Sequence, residues 1–184
     1  MDRARFWSLI DEARHDVGVS GNIASSLIDK LAAMDFGAIT RWAQIYDAYQ
    51  SLSYKMKLWA AAYVINGGCS DDGFEYFRGW LISQGENVFL RALENPDSLA
   101  DIDVEMGGAE YEDMLGVGHS AYFKKTGAAG RDYDAYDAAC TDHALSEGEQ
   151  HALVVGISFA PDIDMEWSEG DFETVVPRLS KKFG

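Results

Sequence analysis

Apolar residues recur at helical spacing through most of the first half of the chain. Phe6, Ile10, Ala13 and Val17 form one stripe, broadened by Leu9, and Gly18 and Gly21 break it. Asn22 is placed to cap a second helix whose stripe is Ile23, Leu27, Leu31 and Met34. Asp35 is placed to cap a third, with Ile39, Trp42, Tyr46 and Tyr49 on one face and an end near Ser51 to Tyr54. The fourth, from about Lys55 to Ile65, is rich in alanine, so a neighbouring helix can approach Ala60, Ala61 and Ala62 closely. Asn66, Gly67 and Gly68 end it, because Asn and Gly tolerate the left-handed conformation that closes a helix.

The same pattern predicts a fifth helix from about Gly73 to Gln84, stopped by Gly85, and a sixth from about Asn87 to Glu94, ended ahead of Pro96. Residues 97–109 read as an acidic connection. A further helix over Tyr111 to Lys125 carries Met114, Leu115, Gly118 and Tyr122 on one face. Gly127 to Asp142 reads as a loop or short helical turns. Ser146 and Glu149 have capping-box spacing for a helix through His151 and Leu153, in competition with a short strand over 153–159. An acidic segment from Asp162 to Glu173 precedes a final short helix broken by Pro177. The expected fold is all-α, a single-domain multi-helix bundle with an irregular acidic C-terminal part. Residues 1–127 would form the helical core domain, and residues 128–184 an acidic extension packed on it.

Composition adds that this core can be substantial. The chain has 184 residues, of which 47% are hydrophobic and 12% aromatic. No apolar run reaches the roughly 18 residues of a transmembrane helix, and the charged opening MDRARFWSLIDEARHD lacks a secretory h-region. Cys69 and Cys140 make neither a disulfide framework nor a zinc pair, which fits a reducing cytoplasm.

Charge narrows the partners. The net charge is −16, and it is unevenly placed: residues 1–90 hold 11 acids and 8 bases, and residues 91–184 hold 20 acids and 7 bases. Such a field repels phosphate backbones and anionic lipid, so neither nucleic-acid binding through a basic patch nor membrane association is expected. The field would favour a basic protein or cations, and the plainer reading is that the acidity serves solubility alone.

Candidate chemistry concentrates in the turn before the fifth helix. Asp71, Asp72 and Glu75 could hold a hard cation, or act as an acid and base whose pKa values are driven apart. Against this, Asp72 and Glu75 have the spacing of a capping box, and both aspartates sit where the helix dipole favours anions. Ser70 and Arg78 are candidate ligand-binding residues. Arg78 could clamp an anion bidentately, although an Arg in an aromatic helix more often pairs with an acid on a neighbouring helix. Cys69 precedes a helix N-terminus, which lowers a thiol pKa, but Asp71 and Asp72 oppose that, and a buried small residue is the favoured reading.

Other combinations are weaker. His143 and His151 would stand about 12 Å apart on a continuous helix, too far to share a metal. Asp162, Asp164, Glu166 and Glu173, and likewise Asp101, Asp103, Glu105 and Glu112, have the first, third, fifth and twelfth places of a calcium loop. The sixth place, which needs Gly, holds Trp167 in one and Met106 in the other. No Gly-x-Gly-x-x-Gly, P-loop, Gly-x-Ser-x-Gly or His-Glu-x-x-His motif occurs, and no metal or cofactor is called for.

One long motif stands out: Leu58-Trp59-Ala60-Ala61-Ala62-Tyr63, then Asn66 through Phe74, Tyr76-Phe77-Arg78, Trp80-Leu81-Ile82 and Gln84-Gly85. With Phe6-Trp7, Leu9-Ile10-Asp11, Asn95 to Leu99 and Tyr122 to Gly127, it resembles a family of bacterial proteins, frequent in actinobacteria, described only as a domain of unknown function. The resemblance spans about residues 1–127. Met56 and Lys57 depart from the aromatic and acid that it implies before the Leu-Trp pair. It implies no activity and no catalytic residue.

The expected function is a cytoplasmic binding or regulatory module acting through protein–protein contact at an acidic surface. The alternative is a metal-assisted hydrolase using Asp71, Asp72 and Glu75, with Arg78 holding an anionic substrate.

Overall fold

The computed structural model describes residues 1–18, 21–127, 130–163 and 169–184. In chain order its helices are α1 (Arg3–Val17), α2 (Ile23–Ala32), α3 (Phe36–Leu52), α4 (Met56–Asn66), α5 (Asp71–Ser83), α6 (Glu86–Glu94), α7 (Val117–Thr126), α8 (Tyr133–Asp142), α9 (Glu147–Val154), α10 (Phe172–Val175) and α11 (Pro177–Phe183). Tight 3-10 turns occupy Pro96–Asp101, Glu112–Gly116 and Glu169–Asp171. The protein is all-α, and no strand occurs among the described residues. None of the described helices is long and apolar enough to cross a membrane.

Local signals account for most boundaries. Asn22 accepts from the Ser25 amide at 2.7 Å, and Asp35 from the Ala38 amide at 2.7 Å, each satisfying a donor that the first helical turn leaves open. Gly67, at φ 70°, closes α4 in the left-handed region, which glycine enters without a Cβ clash.

Four expectations are corrected. The fifth helix begins at Asp71 rather than Gly73, because Ser70 supplies its cap. The stretch before Asp142, read as a loop or short helical turns, contains the longer α8, capped by Asp132 on the Ala135 amide at 2.9 Å. None of the residues of α8 is fully buried, and its inward face, Ala135, Tyr136, Ala139 and Cys140, is only partly covered. The helix expected over Tyr111 to Lys125 is a 3-10 turn joined to α7 at Gly116. The short strand at 153–159 is absent. The competing reading holds: the Ser146–Glu149 capping box starts α9, and Gly156, at φ 77°, turns the chain just beyond its end.

The chain divides into two compact units, Met1–Tyr49 with Asp113–Val155, and Gln50–Glu112 with Gly156–Gly184. In the first, α2 packs against α1 and α7. Phe6 stacks on Trp42 at 5.3 Å and Trp42 on Tyr46 at 5.5 Å, all three being buried. The Tyr49 hydroxyl and the Arg3 guanidinium both donate to the Leu153 carbonyl at 3.3 Å, which fixes the end of α9. Gln44 holds the α8–α9 turn: its amide donates to the Cys140 carbonyl at 3.3 Å and its oxygen accepts from the Leu145 amide at 3.0 Å.

In the second unit, α4 and α5 pack on one another, α6 on α5, and α11 on α4 and on the Pro96–Asp101 turn. Ala60, Ala61 and Ala62 are fully buried, as their small size anticipated. The first turn of α11 is capped from a distant segment. Asp97, 7% exposed, accepts from the backbone amides of Arg178 at 3.0 Å and Leu179 at 2.9 Å. Arg178 also pairs with Asp101, and the hydrogen bond to Arg178, with Arg91 assisting, holds the Asp101 carboxyl below its ordinary range.

Candidate functional site

The residues singled out in the sequence meet at the start of α5, in the second unit. Gly67 and Gly68 both have positive φ, and the Gly68 amide donates to the Tyr63 carbonyl at 2.9 Å as the chain leaves α4. The Ser70 hydroxyl accepts from the Gly73 amide at 3.1 Å and so is the N-cap. The capping box expected between Asp72 and Glu75 is therefore displaced. Asp71 and Asp72 occupy the first turn, where the helix dipole favours negative charge. Both are exposed to solvent, and so is Glu75.

A second acidic segment joins them. The Asn66 side chain clamps Ala109 by donating to its carbonyl at 3.2 Å and accepting from its amide at 3.1 Å. The Gly107 amide donates to the Ile65 carbonyl at 3.0 Å, and the Tyr111 amide to the Tyr76 carbonyl at 3.0 Å. These bonds lay residues 107–111 along the end of α4 and the start of α5. They bring Glu110 and Glu112, both exposed, to Asp71, Asp72 and Glu75. A Cβ placed on Gly73 would stand 3.4 Å from Glu110 Oε1, 3.4 Å from Ser70 Oγ and 3.7 Å from Cys69 Sγ, which puts the Glu110 carboxylate beside the first turn of α5. Glu110 is a site residue that its sequence context does not mark, and Glu112, which the sequence places last in a calcium-like spacing, joins this acidic group instead. They lie just beyond the acidic connection of residues 97–109, and nothing local says where this stretch lands.

The negative field is registered by its neighbours. Burial pushes the Cys69 thiol up to about 12, with Glu110 and then Asp71 raising it further against Trp59 and Arg78. Tyr76 is pushed above the usual phenol range, first by Glu112 and then by desolvation, Asp72 and Glu75. Cys69 thus has the character of a protected thiol and not of a nucleophile.

Arg78 lies inside the helix layer at 8% exposure. Its guanidinium donates to the Gln50 carbonyl at 2.7 Å and the Phe74 carbonyl at 3.2 Å, and lies 4.9 Å from the Phe74 ring centroid and 5.0 Å from that of Tyr54. Carbonyls and ring faces are thus among its partners, and the side chain is held inward. Of the calcium-like sets, Asp101 is engaged by Arg178 and Arg91, whereas Asp164, Glu166 and Trp167 lie outside the described residues. Among the described residues no group of three or more His, Cys, Asp or Glu is arranged to hold a metal ion.

The segments that build this site, α4, the glycine turn, α5 and the clamped stretch to Glu112, all fall within residues 1–124, which match the family model described as protein of unknown function, DUF4240. The chain belongs to the DUF4240 family. No curated protein and no solved structure matches it. The family match ends in α7, so the segments from α8 onward in this DUF4240 protein lie beyond it.

Proposed function

We propose that this DUF4240 protein is a binding module that engages a basic protein through the carboxylates gathered at the start of α5. The observation that carries the reading is the convergence of Asp71, Asp72 and Glu75 with Glu110 and Glu112, brought from a segment some forty residues away and all left exposed. Exposed like charges repel one another, and a cationic partner relieves that repulsion on contact. Such a surface raises association rates and rejects anionic partners. The two free cysteines fit a reducing compartment such as the cytoplasm. A hydrolytic role for Asp71, Asp72 and Glu75 receives less support, because all three are open to water, where acid–base and metal chemistry lose the shielding of an enclosed site.

The test compares the chain with a variant carrying Asp71→Asn, Asp72→Asn, Glu75→Gln, Glu110→Gln and Glu112→Gln. Both are immobilised and challenged with lysate at low and high salt. The reading expects proteins that the parent retains at low salt, releases at high salt, and that the variant never retains. Equal capture by the two chains sinks it.

A further inference from the structure

Beside the carboxylates lies an aromatic surface that the acidic reading does not use. Tyr54, in the turn between α3 and α4, is 46% exposed, and Trp59 on α4 is half-buried. Neither ring is loose. Trp59 stacks on the buried Phe74 at 4.8 Å and 11°, and its indole N–H donates to the Cys69 carbonyl at 3.0 Å. Tyr54 stands edge-on to Trp59 at 5.9 Å and to Phe74 at 5.5 Å. The Cys69 that anchors Trp59 is the residue whose thiol feels Glu110 and Asp71. Rings and carboxylates are therefore contiguous through a single loop.

We infer that Tyr54 and Trp59 form a docking shelf for an arginine side chain of the partner, whose guanidinium lies on the rings and turns toward Glu110 and Asp71. The inference rests on the proposed function, because it names the chemistry by which the same surface recognises its basic partner. Two features favour arginine over a generic cation. A flat, weakly hydrated guanidinium stacks on aromatic faces and forks onto a carboxylate, whereas an ammonium acts as a hydrated point charge. The same aromatic group already takes one guanidinium on its inner side, where Arg78 lies 5.0 Å from the Tyr54 centroid. Rigid, partly exposed aromatics beside charge also match the anchors that carry most of the energy at protein interfaces. The base adjoining the shelf in sequence, Lys55, has its ammonium 5.7 Å from the Phe159 ring.

The experiment titrates the full chain with two blocked peptides, Gly-Arg-Gly-Arg-Gly-Arg-Gly and its lysine counterpart, at low salt. It follows the Trp59 indole N–H resonance, assigned with Trp59→Phe. The arginine peptide is expected to bind about three-fold more tightly than the lysine peptide, the factor that a partly exposed cation–ring contact supplies. It should also shift the Trp59 resonance. Tyr54→Leu, which keeps apolar bulk but removes the ring face, should abolish the difference between peptides. Glu110→Gln should weaken both peptides, the arginine peptide more, because it removes a carboxylate onto which the guanidinium forks. Equal affinity for the two peptides with an unmoved Trp59 resonance, while Glu110→Gln still weakens binding, overturns the shelf and leaves the acidic reading standing. Failure of both peptides to bind at low salt overturns both.

Discussion

The Cys69 thiol reports directly on the electrostatics of the candidate site. Its pKa is raised from 9.0 to about 12, chiefly by burial and then by Glu110. At pH 7.4 this leaves roughly one thiol in 40,000 ionised, against about one in 40 for an unshifted group, a difference of about a thousand-fold in thiolate. Alkylation by iodoacetamide, measured in a Cys140→Ser background so that one thiol reports, should therefore keep rising about tenfold per pH unit beyond pH 10, with no inflection near 9. The pH at which the rate levels off is the diagnostic quantity, because steric shielding slows alkylation without moving it. Glu110→Gln should lower that pH yet leave it above 9, since burial is the larger cause. In strong denaturant the inflection should return to the ordinary range. The sign for stability follows from the same shift. The folded state holds its proton more tightly than the unfolded state, so the stabilisation is complete below about pH 9. It is lost progressively as the pH rises toward about 12. An inflection near 9 in the folded chain, or no response to Glu110→Gln, would refute the placement of Glu110 against Cys69.

Three further outcomes test the architecture. Asp97→Ala removes the carboxylate that caps α11 and should cost about 1–3 kcal/mol, read as a lower urea midpoint; an unchanged midpoint would show that the cap contributes nothing. Gly118→Ala places a Cβ 2.6 Å from that of Ala43, and overpacking should destabilise by about 1–3 kcal/mol. The double variant with Ala43→Gly should recover part of that loss in thermal melts, and a melt of Gly118→Ala as stable as the parent's would count against close packing there. Ser70→Ala removes the α5 cap and should lower stability by about 1 kcal/mol while leaving salt-sensitive capture intact; loss of capture in a stably folded chain would assign Ser70 to the binding surface.

How far each part was readable in the sequence depends on the range of the interactions that make it. Asn22, Asp35 and the Ser146–Glu149 box cap the helices that their positions announced, because a cap acts on amides within three residues. Gly18 and Gly67 end helices with positive φ for an equally local reason. Ser70 does not stand out as a cap in the sequence because Asp72 and Glu75 present a competing pattern of the same form two residues on. The segment holding α8 reads as a loop or short turns because its partly buried face, Ala135, Tyr136, Ala139 and Cys140, is half alanine and gives hydrophobic periodicity little to register.

The candidate site divides along the same line. The sequence alone determined an all-α chain, a glycine turn opening α5, and acids at that turn, since each follows from residues a helical turn or less apart. Only the tertiary structure decided that Glu110 and Glu112 join those acids. The bonds responsible run from Asn66 to Ala109, Ile65 to Gly107 and Tyr76 to Tyr111, spanning separations that no local pattern encodes. Tertiary packing likewise turned Arg78 inward onto carbonyls and rings, where its sequence neighbours allowed either an anion clamp or an ion pair. A charged side chain is placed by the partners that offset its desolvation, and those partners come from wherever the chain happens to fold back.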